Sequence, residues 1–173
     1  MSMIAYFRRL PNRDVERLLA EPELVPGYLY LGDQIEAEEG FGPFVELDTD
    51  KAWHGIHFLL TGSVEGDDRP ECFIFTAGRW VGNEDDVGLP YGPARGFPSS
   101  EVKQIAEVLA AADEAKLRSR FDPHVMTREQ VYPAAGIWEE DDALGYLIDN
   151  YTKLRKFIMD AAQADEALMV YFN

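Results

Sequence analysis

The longest helical pattern in this sequence lies near its C-terminal end and constrains the fold more than any other feature. Between about residues 141 and 163, apolar residues recur at intervals of three and four: Leu144, Leu147, Ile148, Tyr151, Leu154, Ile158 and Ala161. This spacing places them along one face of an α-helix. A helix with so long an apolar face must pack against other elements. The sequence therefore predicts a central C-terminal helix, followed by a final strand over the apolar residues 168–172.

The strand patterns in the rest of the sequence are short. An apolar and aromatic run predicts a first strand at residues 3–8, and two further runs predict a hairpin of residues 72–75 and 79–81. Residues 91–98 contain too much Gly and Pro for an interior strand, which favours an edge strand or an ordered loop. Residues 25–32 fit a strand or irregular structure and precede a long loop that extends to Pro43.

Helix starts are marked by residues that suit the N-cap. Asn12 is the first, and the others lie at Ser99 or Ser100, at Asp113 and at Asp122, where Pro123 fits the first helical position. The sequence has no internal repeat and no shift in composition. It therefore predicts a single α+β domain over residues 1–173, with a small mixed or antiparallel sheet packed against several helices. The first and last strands are candidates to pair in that sheet.

The most legible internal helix is predicted between Asp48 and Gly62. Asp48 suits its N-cap, Asp50 suits the positive end of the helix dipole, and Gly62 suits a left-handed C-cap. At 100° per residue, four side chains share one face and predict its buried side: Trp53, Ile56, His57 and Leu60.

Charge excludes several classes of function. Sixteen Lys and Arg stand against 32 Asp and Glu, so the formal charge is −16 and both nucleic acid and anionic membranes would repel the chain. Residues 33–86 hold 14 of the acids and only three bases, and most of these acids fall in turn-like clusters. A hydrophobic content of 46% excludes a disordered acidic tail.

A single cysteine and the lack of a signal-like or membrane-spanning run favour a reducing, cytoplasmic location.

Motifs for catalysis are missing from the sequence. It contains no phosphate-binding glycine loop and no nucleophile elbow, and Cys72 is expected to be a buried strand residue.

Asp50, His54 and His57 fall within an arc of one helix that could face a divalent metal. Their spacing is not that of the known helical zinc motif, and His57 borders Trp53 on the buried face. We therefore expect the histidine to pack in the core, and we expect the protein to bind no metal and no cofactor.

Arg95 is the other candidate for ligand binding. It lies in a stretch of Gly and Pro with Tyr91 and Phe97 nearby, where a guanidinium could clamp a carboxylate or a phosphate. A structural bridge to one of the many acids is the simpler expectation. Lys153 and Arg155 are not spaced to share a helix face, so a nucleic-acid footprint is not supported.

Several segments together resemble the YfbM-like family, small bacterial proteins grouped as a domain of unknown function. The segments that carry the resemblance are spread over the whole sequence: residues 3–7, 47–48, 50–51, 53, 57–58, 60–62, 91–95, 120–123, 132–133 and 137–138. The resemblance implies an α+β fold and a bacterial protein expected in the cytoplasm. It implies no activity, because the family has no established catalytic residues to carry over.

Two hypotheses for function follow. The first is a non-enzymatic acidic module that binds a cationic protein partner, for example an immunity protein or antitoxin that neutralises a basic toxin. The second is a small enzyme or ligand-binding protein with a site near the Asp50/His54/His57 helix and Arg95. The residues proposed to contact a ligand or partner are Asp50, Trp53, His57, Tyr91 and Arg95. Oligomeric state is left open.

Overall fold

The computed structural model describes residues 2–30, 40–82, 89–134 and 136–173, and these segments contain five strands and seven α-helices. The strands are β1 (Ala5–Leu10), β2 (Val45–Asp48), β3 (Arg79–Val81), β4 (Ala94–Phe97) and β5 (Ala167–Phe172). The helices are α1 (Asn12–Ala20), α2 (Val25–Tyr30), α3 (Trp53–Thr61), α4 (Ser99–Ala111), α5 (Glu114–Arg120), α6 (Pro123–Arg128) and α7 (Ala143–Gln163). Short 3₁₀ turns span Pro22–Leu24, Asp50–Ala52, Pro70–Cys72 and Ile137–Glu139. The α+β fold predicted from the sequence is confirmed.

The sheet has the strand order β2-β1-β5-β4-β3, and every neighbouring pair is antiparallel. The first and last strands pair along their full length, from Ala5 opposite Phe172 to Leu10 opposite Ala167. All six residues of β5 are buried. This explains why β5 reads as a continuous apolar run rather than an alternating one: helices cover both of its faces.

Two apolar clusters lie on the two faces of the sheet. The larger contains alternate strand residues such as Phe7 and Val170, together with the buried sides of α3, α4 and α7. The smaller contains Leu10 and Met169 with the buried sides of α1 and α2. As predicted, α7 is the main packing helix, and its buried side chains recur at three and four: Ala143, Leu147, Ile148, Tyr151, Leu154, Phe157, Ile158 and Ala161.

The prediction for residues 91–98 as an edge strand or loop is wrong, because β4 lies inside the sheet between β5 and β3. Pro93 and Pro98 flank the strand, so neither removes a hydrogen bond from its interior. Gly96 lies within it because helix α1 packs there: a Cβ at this position would lie 2.8 Å from Val81 Cγ2 and 2.9 Å from Val15 Cγ2. The glycine therefore marks a close helix–sheet contact rather than an edge.

Two other predictions, a strand at residues 72–75 and a strand or irregular structure at residues 25–32, are also wrong. Residues 72–75 do not form a strand but a 3₁₀ turn with further turns after it, and β3 forms its hairpin with β4 instead. Residues 25–30 form helix α2. The loop predicted up to Pro43 and the acidic clusters at 36–39 and 84–86 fall mostly or wholly outside the described residues.

The structure confirms the predicted helix caps at Asp113, Asp122 and Gly62 and contradicts the one at Asn12. Asp113 and Asp122 accept backbone N–H groups at the starts of α5 and α6, and Gly62 ends α3 with φ 76°. Asn12 is not an N-cap, since Pro11 holds that position in α1. Its side-chain oxygen instead accepts the Ser99 N–H at 2.7 Å, at the start of α4. No helix in the described segments is both long and apolar enough to cross a membrane.

Candidate functional site

Helix α3, which carries most of the predicted site residues, is buried on every side. All residues from Trp53 to Leu60 are buried, so the prediction of a single buried face is wrong. The sequence is apolar around the whole helix, which is the pattern of a core helix. At Gly55 a Cβ would lie 2.6 Å from Leu147 Cδ2 and 2.9 Å from Trp138 Cη2. The glycine thus allows α3 to lie close against α7 and the turn before it.

Asp48 does not cap this helix. It ends strand β2, and its carboxylate accepts the Asp50 N–H at 3.0 Å. The chain then makes the 3₁₀ turn Asp50–Ala52 before α3 begins at Trp53. Asp50 has φ 47°, a left-handed conformation that is uncommon for residues other than glycine. The start of α3 is therefore set by a strained turn, and not by a capping side chain.

His54 is a core histidine held by two backbone partners. Its Nδ1 accepts the Tyr132 N–H at 2.9 Å, and its Nε2 lies 3.0 Å from the Val64 carbonyl oxygen. Because the amide can only donate and the carbonyl can only accept, the ring must be neutral with its proton on Nε2. Burial lowers the pKa of His54, against a smaller raising effect of the Val64 hydrogen bond.

His57 lies deeper still, with an exposed fraction of 0%. Its Nε2–H donates to the Glu65 carbonyl oxygen at 3.0 Å, and the Phe75 ring packs edge-on against it. Its Nδ1 is buried and has no hydrogen-bond partner among the described residues. Burial is the main cause that lowers the pKa of His57. The ring is therefore sealed in the core.

Arg95 is buried as well, and 5% of it is exposed. Its Nη1 donates to the Phe73 and Ala77 carbonyl oxygens at 3.2 and 2.9 Å, and its Nη2 donates to the Ile74 carbonyl oxygen at 2.6 Å. The expected bridge to an acid is not formed; the partners are backbone carbonyls. Burial lowers the pKa of Arg95. The guanidinium therefore organises residues 73–77 and does not face a ligand.

The predicted site residues thus fall into separate environments. His54, His57 and Trp53 share the core of α3, where the Trp53 indole donates to the Met3 carbonyl oxygen at 3.1 Å. Tyr91 is partly buried against the larger apolar cluster. Among the described residues no group of three or more His, Cys, Asp and Glu side chains could hold a metal ion. The arrangement of Asp50, His54 and His57 therefore gives no metal site.

Asp50 is a predicted site residue that lines a surface groove. The Tyr146 hydroxyl donates to its Oδ2 at 2.9 Å and accepts the Lys51 N–H at 3.1 Å. Burial, followed by the hydrogen bond to Asp50, raises the pKa of Tyr146. The phenol therefore stays protonated at neutral pH and holds the carboxylate in one orientation.

The groove around Asp50 has a volume of about 230 Å³. We call it the Asp50 groove, and define it by its lining residues: Asp50, Lys51, Ile137, Trp138, Glu140, Asp142, Ala143 and Tyr146. Three carboxylates and one ammonium give this lining a formal charge of −2. Glu140 and Asp142 are exposed and form no ion pair within the described part of the chain. Such a groove can accept a cation with an apolar stem, because apolar walls and carboxylates meet there.

A larger groove of about 480 Å³ lies between β3 and α4. Its two most prominent charged residues neutralise each other, since Arg79 Nη2 lies 2.6 Å from Glu101 Oε1. The floor is formed by Phe97 and Ile105. Asp68 also lines this groove, so its formal charge is −1 against −2 for the Asp50 groove, which is therefore the better candidate site for a cation.

Sequence reasoning missed Tyr146 and did not connect the acids at 140 and 142 with Asp50. Tyr146 lies on α7 but outside the apolar repeat that defines the buried face, since the repeat uses Leu144, Leu147 and Ile148. An aromatic hydroxyl off that face was the available signal. Its partner, 96 positions earlier in the chain, could be found only from the fold.

Comparisons with known proteins support the fold and assign no activity. A family described as "Domain of unknown function (DUF1877)" matches residues 1–171. Among solved structures, the chain is similar to YfbM from Escherichia coli, a protein of unknown function, with a TM-score of 0.70 and 17% identity. The match covers 98% of this chain and 99% of that one. No curated protein matches the sequence.

Proposed function

The chain belongs to the YfbM-like family of domains of unknown function (DUF1877), and we propose that it is a non-enzymatic module that binds a cationic protein partner through the Asp50 groove. The observation that carries this proposal is the pairing of an oriented carboxylate with apolar walls and two further acids. We expect the alkyl stem of a lysine or arginine to pack against the partly exposed Ile137, while its charged head reaches Asp50. A bacterial immunity protein or antitoxin is one concrete form of this function.

The charge of the whole chain supports the same proposal. Of the 16 Lys and Arg side chains, ten form ion pairs with acids in the segments that the structure describes. With 32 acids present, even complete pairing would leave 16 carboxylates without a base. This surplus exceeds what solubility needs and would speed the encounter with a basic partner. The groove then supplies the specific contact that a diffuse field does not.

The burial of His57 and Arg95 favours this module over an enzyme whose site lies beside α3. His57 is fully buried, and its Nε2 and the two terminal nitrogens of Arg95 are bonded to backbone carbonyls in the core, so neither side chain can touch a substrate. Asp50 remains accessible, but its partner is a protonated phenol and not a base that could activate a nucleophile.

Binding of a basic peptide tests the proposal. We expect a fluorescein-labelled peptide of eight lysines to bind in 20 mM NaCl and to lose at least tenfold in affinity in 0.5 M NaCl, where the Debye length is about 4 Å. Fluorescence anisotropy measures both constants, and a peptide of eight glutamates should not bind. Absence of binding at low salt, or affinity that salt leaves unchanged, contradicts a cationic partner.

Asp50→Asn separates the groove from the general field of the protein. We expect about fivefold weaker binding of the lysine peptide, which corresponds to ~1 kcal/mol for a charge-assisted contact at a partly exposed site. Asparagine tolerates a positive φ and can still accept from Tyr146, so the local structure should be kept.

The matched control is Glu107→Gln, which removes the same charge from an exposed position of α4 away from the groove. It should change the affinity by less than about 1.5-fold, because distant exposed charges are screened. Equal losses in the two variants would mean that the peptide follows the overall charge and that the groove has no special role.

A further inference from the structure

His54 joins three separate segments of the chain through one ring. The ring belongs to α3, its Nε2–H donates to the Val64 carbonyl oxygen, and its Nδ1 accepts the Tyr132 N–H. Tyr132 lies 78 positions later, in the turn at residues 130–134. The contact between this turn and α3 therefore includes a bond whose acceptor is a titratable nitrogen.

Only the neutral ring can make this contact. The Tyr132 N–H is a fixed donor, so Nδ1 must offer a lone pair. A proton on Nδ1 would turn the acceptor into a donor and set two N–H groups against each other at 2.9 Å. The Nε2–H bond to Val64 would survive protonation, because it already uses a donor on the ring. The chemistry therefore selects Tyr132, and not Val64, as the contact that acid breaks.

The turn carries further contacts that depend on its position. The Tyr132 hydroxyl accepts the Met3 N–H at 2.8 Å, and its ring stacks on Trp53 with centroids 5.6 Å apart. Gln130 and Ala134, on either side, have φ values of 57° and 62°. Left-handed conformations cost non-glycine residues about 1 kcal/mol or more, so the turn must be held by its contacts. Such a segment is poised to move when one of them is lost.

We propose that the turn at residues 130–134 is an acid-sensitive latch: protonation of His54 at Nδ1 removes the acceptor of the Tyr132 N–H and releases the turn from α3. The proton comes from solvent, and no covalent bond changes. Release also frees the anchor that Tyr132 provides for the backbone at Met3. The latch does not depend on the proposed partner, but it touches the Asp50 groove, because the Trp138 indole that lines the groove donates to the Val131 carbonyl oxygen of the turn.

Burial sets the direction of the pKa shift of both imidazoles, and nearby charged groups modify the shift of His57. The second ring, His57, lies 6.0 Å from His54 between centroids. Arg95 on β4 and His54 itself lower the pKa of His57 after burial, while Asp67, from the segment that follows α3, raises it. The Cys72 thiol donates to Asp67 Oδ1 at 3.3 Å. From the turn, the Tyr132 backbone N–H contacts His54, while the titratable Tyr132 hydroxyl accepts the Met3 N–H.

The sign of the pH dependence follows from these directions. The pKa of both imidazoles is lower in the folded protein than the ordinary value of 6.5. Their neutral forms therefore stabilise the closed state fully above pH 6.5, and this stabilisation is lost as the pH falls through the folded-state pKa. Acid, not base, opens the latch.

Hydrogen exchange of the Tyr132 amide tests the latch directly, since this N–H is itself the donor. We expect its protection factor, measured by NMR on the full chain and corrected for the intrinsic rate, to fall at least tenfold between pH 7.5 and pH 4.5. The Tyr146 amide, which bonds to the Asp142 carbonyl oxygen in α7, should change less than twofold over the same interval. The contrast separates local release from global unfolding.

Two histidine variants complete the test. In His54→Asn the side-chain oxygen can take the place of Nδ1 without titrating, so Tyr132 protection should no longer vary with pH. His124→Asn is the matched control, because His124 is an exposed histidine whose ring lies 3.7 Å from Glu139, and its loss should leave the wild-type response intact. Loss of Tyr132 protection in acid to the same extent in His54→Asn would overturn the proposal.

The wild-type protein also decides the matter if His54→Asn does not fold. The ¹⁵N shifts of the His54 ring should report its protonation over the same pH interval in which the Tyr132 amide loses protection. Protonation of His54 without loss of protection overturns the latch. Tyr132 protection that persists until the α7 amides are lost as well does the same.

Discussion

Replacing Arg95 by methionine should destabilise the protein by about 3 kcal/mol or more. The substitution keeps much of the side-chain volume but leaves three carbonyl oxygens, those of Phe73, Ile74 and Ala77, without their donors. A buried acceptor without a partner costs about 1–3 kcal/mol, and removal of a buried charge offsets part of that sum. Urea denaturation followed by tryptophan fluorescence measures the change in the free energy of unfolding.

Arg79→Met on the neighbouring strand β3 is the matched control for Arg95. Arg79 is exposed, and its ion pair with Glu101 is partly in solvent, so its loss should cost less than about 1 kcal/mol. Arg95→Lys tests geometry against charge, because one ammonium cannot reproduce a planar fork that contacts three carbonyls. If Arg95→Met were as mild as Arg79→Met, the guanidinium would not organise residues 73–77.

Trp138→Ala should cost about 4 kcal/mol. Only 1% of the side chain is exposed, and it fills the space beside Gly55 of α3. Its indole N–H donates to the Val131 carbonyl oxygen at 2.8 Å. Truncation would open a large cavity and leave that carbonyl without a donor, and aromatic-to-alanine changes in cores cost about 3–5 kcal/mol. Thermal and urea unfolding of the variant give the comparison.

Trp80 offers the contrasting tryptophan within the same chain. It lies on β3 with 61% of its surface exposed, so Trp80→Ala should change the free energy of unfolding by less than about 0.5 kcal/mol. Trp138→Phe keeps one aromatic ring but removes the N–H, and should cost about 1–2 kcal/mol less than the alanine change. A small effect of Trp138→Ala would show that α3 and α7 do not depend on this contact.

The sequence predicts correctly those helices and caps that are determined by residues close to them in the chain. The apolar repeat of α7 and the caps at Asp113 and Asp122 act within a few residues, and the structure confirms them. Residues 72–75 were predicted as a strand because they are apolar. Their turns are stabilised by Arg95, about 20 positions away, so no pattern within the run could reveal them. Gly96 misled the prediction for β4 for the same reason, because its cause is the approach of α1.

The candidate site residues also differ in whether local sequence or distant contacts determine their role. Asp50 was singled out from the sequence, and the structure places it in a groove. His57 and Arg95 were singled out for their chemistry, but the fold uses that chemistry to bind backbone carbonyls. Polar side chains in apolar segments can serve a ligand or the core equally well. Only the positions of Val64, Glu65 and residues 73–77 decide between these uses, and those positions are set by tertiary contacts.

The pairing of β1 with β5 has a consequence for how the protein is made. These strands are adjacent in the middle of the sheet, yet about 160 positions separate them in the chain. A ribosome adding 5–20 residues per second completes β5 roughly 8–30 s after β1. Throughout that time the apolar side chains of β1 have no central neighbour to pair with. The sheet can close only after synthesis of β5, so nascent chains should depend on chaperones until the last strand is present.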